Sequence, residues 1–185
     1  RMCFPGRVNV ENATAAITVA LYAGVTPEEI RVALPLFKRV SRRFDVHAKS
    51  ERLIYIDDYA HHPREIEASL SSIREMWPDK RLTVAFQPHL YSRTNDFYPE
   101  FAKSLNLADQ VILLDIYPAR EQPIPGVTSG LIAEQLTVPF VRVTKEEFPE
   151  YVKENVKEGV FMTVGAGDID RFIPIFTEMF GGTDC

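Results

Sequence analysis

The chain has 185 residues, 45% hydrophobic and 25% charged, a balance that supports one sizeable core and excludes disorder as the default. A formal charge of −5, with no Lys/Arg-rich run to offset it, argues against an electrostatic grip on nucleic acid or anionic lipid. No apolar run approaches the roughly 18 residues that span a bilayer, no signal-peptide pattern is present, and two cysteines at opposite ends, Cys3 and Cys185, offer no disulfide framework. The expectation is a soluble protein of a reducing cytosol. The opening "RMCFPGRVN" reads as though cut from a longer chain.

The first predicted helix is Ala-rich, runs from about Val10 to Ala23 and stops at Gly24. A second starts at Thr26-Pro27-Glu28-Glu29, where Thr26 caps, Pro27 fits the first turn and Glu29 closes a capping box. Pro35 ends or bends it. The basic connector that follows places a boundary at residues 39–43, between a helical piece and what comes next, and sets Arg42 and Arg43 between two modules, where groups often engage a nucleotide during closure.

From Phe44 onward, short β-branched or aromatic runs alternate with amphipathic helices. The strands are "RFDVHA", "RLIYID", "RLTVAF", "QVILLD", "FVRV" and "VFMTV"; the helices span about 63–77, 96–107, 129–136, 145–156 and 168–180. In the first of these helices Ile66, Leu70, Ile73 and Trp77 form one apolar face, with Arg64, Glu67 and Arg74 off it. Alternation with near-continuous apolar strands predicts an α/β fold, a mostly parallel Rossmann-like sheet with helices on both faces. The domain occupies residues 44–180, with 181–185 a flexible tail.

In such sheets functional groups collect where strand-to-helix loops leave the carboxyl ends of strands. Four loops there are rich in chemistry: residues 57–62, 87–94, 115–122 and 165–170. "DDYAHHP" offers two carboxylates and two imidazoles before a helix start, which suits either turn hydrogen bonds and a cap or a metal-dependent phosphoesterase using Asp57, Asp58, His61 and His62. "FQPHLYSRT" adds His89, Tyr91, Arg93 and Thr94, and a guanidinium there suits a carboxylate or phosphate better than a metal neighbour. "GAGDID" reads as an anion-accepting nest or a tight turn, and "DIYPAREQPIPG" as a Pro-stiffened loop with Arg120 and Glu121 as rim or solvated charges. A noncatalytic Rossmann-like binding module also fits these features.

Taken together and in this order, "GRVNVEN", "SRRFD", "DDYAHHP", "FQPHLYSRT", "YPAREQPIPG" and "GAGDID" resemble the C-terminal part of a Mur ligase, over all of the chain but the tail. "FQPHLYSRT" favours the branch that joins L-alanine to UDP-N-acetylmuramate over the one that reuses recovered tripeptide. The resemblance implies an ATP-dependent amide ligase of bacterial peptidoglycan precursor synthesis, cytoplasmic, with three domains. Residues 1–43 would be the helical end of the central ATPase domain and 44–180 the Rossmann-like C-terminal domain. The N-terminal and central domains are its missing partners; nucleic acid and membrane are not. No Gly-Lys pair occurs, hence no triphosphate-cradling P-loop, and the fragment alone is expected to be inactive. Mg2+ would be held mainly by the central domain, with no metal on this fragment.

By the same resemblance, Asn9 and Asn12 lie on the adenine side of ATP, with Val8 in place of the usual histidine, and Arg43 and Asp58 face the nucleotide. Tyr59, His61, His89 and Arg93 position the reacting substrates, Arg93 taking the alanine carboxylate, while Leu90 replaces a second arginine of many relatives. His62 and Asp57 are left as structural partners of the turn.

Overall fold

In the computed structural model, residues 7–37 and 40–181 are described, without the side chains of Arg7 and Val8. Cys3, Cys185, the Val8 departure and residues 182–185 of the expected tail therefore lie outside the described residues. Six strands form one sheet: β1 (Asp45–Lys49), β2 (Leu53–Asp58), β3 (Leu82–Phe86), β4 (Gln110–Leu113), β5 (Phe140–Arg142) and β6 (Gly159–Val164). Their spatial order is β1-β2-β6-β3-β4-β5, with β1 antiparallel to β2 and every other pairing parallel. All six expected strands are present, and the α/β class with a mostly parallel sheet is observed.

Each central strand feeds two cores, which is why its sequence is apolar almost throughout. Ile54, Ile56, Val84, Phe86, Met162 and Val164 face one core, and they are covered by α3 (Pro63–Met76), α4 (Tyr91–Leu105) and α5 (Gly130–Ala133). Tyr55, Ala85, Ile112 and Phe161 face the other, covered by α6 (Phe148–Asn155) and α7 (Ile173–Met179). Phe148, Phe161 and Phe176 meet there edge to face, at centroid separations of 5.1 and 5.4 Å. Ile66, Leu70 and Ile73 are fully buried on the predicted face of α3, while Arg64 and Glu67 are exposed.

The three crossovers from β2 to β5 pass over one face, and the return from β5 to β6 passes over the other. This slots β6 between β2 and β3 and opens a crevice at their carboxyl ends, the position where α/β sheets bind ligands. Ahead of the sheet, α1 (Arg7–Tyr22) packs beside α3, and α2 (Pro27–Ala33) starts with the predicted reciprocal cap between Thr26 and Glu29. A short 3-10 turn carrying Pro35 closes it. None of the described helices is long and apolar enough to cross a membrane.

Helix boundaries depart from expectation where proline or a side-chain cap intervenes. α4 starts five residues before the predicted 96, because Leu90 at φ 74° turns the chain into the helix, and it kinks at Phe97, two residues before Pro99. Proline has no N–H to continue the ladder, so the pattern resembles a helix beginning there. The 129–136 helix is α only over Gly130–Ala133, and α6 begins at Phe148, after a turn in which Glu147 accepts from the Thr144 amide at 3.0 Å and hydroxyl at 2.9 Å. The last helix divides into a 3-10 turn over Asp168–Phe172 and α7, which has Pro174 in its first turn.

Truncating Leu70 to alanine leaves a cavity under α3 that the surrounding sheet cannot close. The expected loss is about 2–5 kcal/mol of unfolding free energy. Urea unfolding of the chain checks it, and a loss below about 1 kcal/mol would contradict the packing described.

Candidate functional site

The turn after β2 divides its polar residues between structure and rim. Asp57 is fully buried; its carboxylate accepts from Thr163 Oγ1 at 2.7 Å and from Arg42 Nε at 2.9 Å. Burial pushes this carboxyl up, and Arg42 and Thr163 pull it back. Asp58 is turned inward, accepting from the Ala60 amide at 3.1 Å and the Ser69 hydroxyl at 2.6 Å. Burial pushes Asp58 up to about 6 against these two hydrogen bonds; the nearby Asp57 raises it further and Arg43 opposes. His62 caps α3: its ring accepts from the Arg64 amide, and Glu65 answers by accepting from the His62 amide at 3.2 Å.

Those engagements leave the metal-cluster alternative without a site. Asp57, Asp58 and His62 are spent on an ion pair, a turn and a cap, and no group of three His, Cys, Asp or Glu among the described residues is arranged to hold a metal ion. Tyr59 and His61, by contrast, stand on the rim.

Tyr59 is 37% exposed, and its ring meets His61 edge to face at 5.4 Å. His61 Nδ1 lies 3.1 Å from the Tyr59 carbonyl, which only accepts, and 3.5 Å from Glu65 Oε2, so this edge of the ring is the donor and Nε2 faces away from it. His61 faces His89 at 6.2 Å, and His89 stacks on Tyr117 at 5.7 Å. Burial, Arg93 and His61 all push His89 below its ordinary range, so it is neutral near pH 7. Arg93 Nη1 lies 3.5 Å from His89 Nδ1, and among the described residues no carboxylate lies within ion-pair distance of Arg93. The structure thus brings Tyr59, His61, His89 and Arg93 onto one rim.

Two residues of that rim went unrecognised in the sequence. Tyr117 is one, and a parallel bridge ties it to His89, with Leu90 N donating to Tyr117 O at 2.9 Å and Tyr117 N to Pro88 O at 2.8 Å. An aromatic four residues past the end of β4 was the available signal. Ser92 is the other: Glu121 accepts from its amide at 3.0 Å and from its hydroxyl, and these bonds hold the Glu121 carboxyl low. Glu121 is therefore a brace on the start of α4 rather than a solvated charge, while Arg120 stays exposed.

Of the two readings of "GAGDID", the tight turn accounts for two of its amides. Gly165 N donates to Asp58 O, and Ile169 N to Gln87 Oε1, so these amides serve the fold. The glycines answer to close packing: a Cβ at Gly165 would stand 2.7 Å from Gln87 O, and one at Gly167 2.6 Å from Tyr117 Cβ. Asp168 takes Gln87 Nε2 and Lys145 Nζ, each at 2.8 Å.

Of the residues expected at the nucleotide, Asn9, Asn12 and Arg43 line one groove of about 570 Å³ between α1 and α2, with Ala13, Ala16 and Ile30 on its apolar walls. Asp58 is not on that groove; its two oxygens are held by Ser69 and Ala60 beneath the rim. Arg43 links the two regions, its guanidinium carbon lying 5.7 Å from the Tyr59 ring centroid.

A mostly parallel sheet with an antiparallel edge, its polar loops at the carboxyl ends of β2 and β3, defines a Rossmann-like α/β domain. Residues 42–167 match the family model described as Mur ligase, glutamate ligase domain, and the chain belongs to that family. It is 49% identical over 172 residues to the UDP-N-acetylmuramate–L-alanine ligase of Phocaeicola vulgatus, covering 92% of this chain and 37% of that protein. Its identity to the ligase of the same name from Porphyromonas gingivalis is 50% over 170 residues, covering 91% and 37%. Among solved structures, a UDP-N-acetylmuramate-alanine ligase from Thermotoga maritima superposes with TM-score 0.75 at 31% identity, over 96% of this chain and 38% of that one. The chain therefore spans a little over a third of the length of these relatives.

Asp58 gives a pH signature. The folded chain keeps a proton that an unfolded aspartate releases near pH 4, so its contribution to stability falls as pH rises from about 4 to about 6, by on the order of 3 kcal/mol in all. Unfolding midpoints measured across that range should show wild type losing stability relative to Asp58→Asn. A difference that stays constant with pH would refute the assignment.

Proposed function

We propose that the chain is the C-terminal part of an ATP-dependent ligase that joins L-alanine to UDP-N-acetylmuramate, in the cytoplasm of a bacterium. Residues 1–43 then close the central ATPase domain and 44–180 form the C-terminal domain, whose partners are the N-terminal and central domains of the same polypeptide. The observation that carries this reading is Arg93: a half-buried guanidinium with no carboxylate within ion-pair distance among the described residues, its charge felt by Glu121 only through space, on a rim with neutral His89, His61 and Tyr59. A planar fork in that setting suits a small carboxylate, and the alanine ligases among the relatives make alanine the candidate.

An amide ligase activates an acid as an acyl phosphate, then needs a neutral amine held in line with it. In this reading Arg93 fixes the alanine carboxylate, and that places its amine toward the imidazoles. His61, its Nδ1 turned to the Tyr59 carbonyl, orients the amine through its other edge, while Tyr59 walls the site. ATP fits the α1–α2 groove through its base: apolar walls suit a purine face, and the Asn9 and Asn12 carboxamides offer both donors and acceptors to its edge, with Arg43 at the groove's other side. Among the described residues no group of three His, Cys, Asp or Glu gathers to hold Mg2+, and in this reading the ion belongs mainly to the central domain.

In the longer polypeptide containing this chain, Arg93→Ala should raise KM for alanine by about 10–100-fold, the value of a charge-assisted hydrogen-bond pair. KM for UDP-N-acetylmuramate should stay within about twofold. Steady-state phosphate release separates the two, and an unchanged KM for alanine would contradict the role.

A further inference from the structure

Arg42 lies outside the groups that would touch ATP or alanine, yet it is the most heavily engaged cation near either. Its side chain is 14% exposed. Nε donates to Asp57 at 2.9 Å, one terminal nitrogen to the Gly165 carbonyl at 2.6 Å and the other to Asp170 at 3.4 Å. These acceptors belong to the end of β2 and the loop after β6, so one guanidinium fastens two neighbouring strand ends together. Behind it the contact continues inward: Thr163 donates to Asp57 at 2.7 Å and its oxygen lies 3.1 Å from the buried Tyr55 hydroxyl.

Arg42 also holds Tyr59 twice. The Tyr59 amide donates to the Arg42 carbonyl at 2.8 Å, and the Arg42 guanidinium carbon lies over the Tyr59 ring, 5.2 Å from its centroid. The chain reaches this arrangement through φ values of 60° at Arg42 and 50° at Phe44, a conformation non-glycine residues adopt only under tertiary constraint. The neighbouring Arg43 lines the α1–α2 groove with Asn9 and Asn12.

We propose that Arg42 is a positioning residue, a joint that locks the substrate-facing Tyr59 to the nucleotide-facing Arg43 by anchoring both to the buried Asp57 and the Gly165 carbonyl. The proposal rests on the ligase reading for its effect on catalysis, and on the structure alone for its effect on Tyr59. A lysine would keep the charge beside Asp57 but could not reach Asp57 and Gly165 together.

Two measurements test it. In the 185-residue chain with 13C-labelled tyrosine rings, Arg42→Ala and Asp57→Asn should each shift the Tyr59 resonances, assigned with Tyr59→Phe, and leave those of Tyr98 and Tyr151 in place. Unmoved Tyr59 signals overturn the proposal whatever the protein's activity. In the longer polypeptide, Arg42→Ala should raise KM for both alanine and ATP by about 10–100-fold, with KM for UDP-N-acetylmuramate unchanged. Arg42→Lys, which serves alone if the alanine variant does not fold, should stay impaired in the same two constants. A loss confined to kcat and matched by a loss of folded protein assigns Arg42 a structural role only and overturns the proposal. If the wild-type polypeptide performs no ligation, the ligase reading fails, and the Tyr59 resonances still decide the joint.

Discussion

A carboxylate with no exposed surface must be matched by a cation and hydrogen bonds, and Asp57 imposes that demand at the end of β2. Its match comes from Arg42, fifteen positions earlier in the chain, and from Thr163, its register partner on β6. Removing one member of such a buried pair costs about 3–5 kcal/mol, because the other is left uncompensated. The connector between the helical segment and the sheet is consequently fixed to the crevice rather than draped across it. Arg43, Phe44 and Tyr59 take their places from that attachment: Phe44 enters the first core, Arg43 faces the groove, and Tyr59 stands on the rim.

The topology then sets which loops meet. Because β6 lies between β2 and β3, "DDYAHHP", "FQPHLYSRT" and "GAGDID" emerge side by side although about a hundred residues separate the first from the last. Gln87 joins the second loop to the third, the His89–Tyr117 bridge joins the second to the loop after β4, and Glu121 braces the start of α4. Arg93 and His89 thus sit on a frame tied at several points, which is what a positioning site needs if a small carboxylate is to be held in one orientation.

Much of this was legible in sequence, for identifiable reasons. The strands were visible because burial on both faces makes them apolar throughout, and the α3 face because Ile66, Leu70 and Ile73 recur at helical spacing. Tyr59, His61, His89 and Arg93 were visible because polar residues after parallel strands collect at the carboxyl edge. The inward turn of Asp58 was not, since Ser69 reaches it from the second turn of α3, a relation that spacing alone does not encode. Nor was the service of the Gly165 and Ile169 amides to the fold, or the early start of α4, where the Leu90 backbone and Pro99 mimic a later beginning. The roles of Arg42 and Tyr117 depend on pairings across loops, which appear only once the strand order is known.

In the proposed ligase this domain supplies the amino-acid half, and the nucleotide chemistry needs another domain. Mass spectrometry of the product formed from UDP-N-acetylmuramate, L-alanine and ATP decides it, comparing the 185 residues alone with the longer polypeptide that carries them behind a P-loop domain. The expected outcome is a UDP-sugar heavier by one alanyl residue from the longer polypeptide and none from the 185 residues. Product from the short chain, or a folded longer polypeptide that joins no alanine, would contradict it.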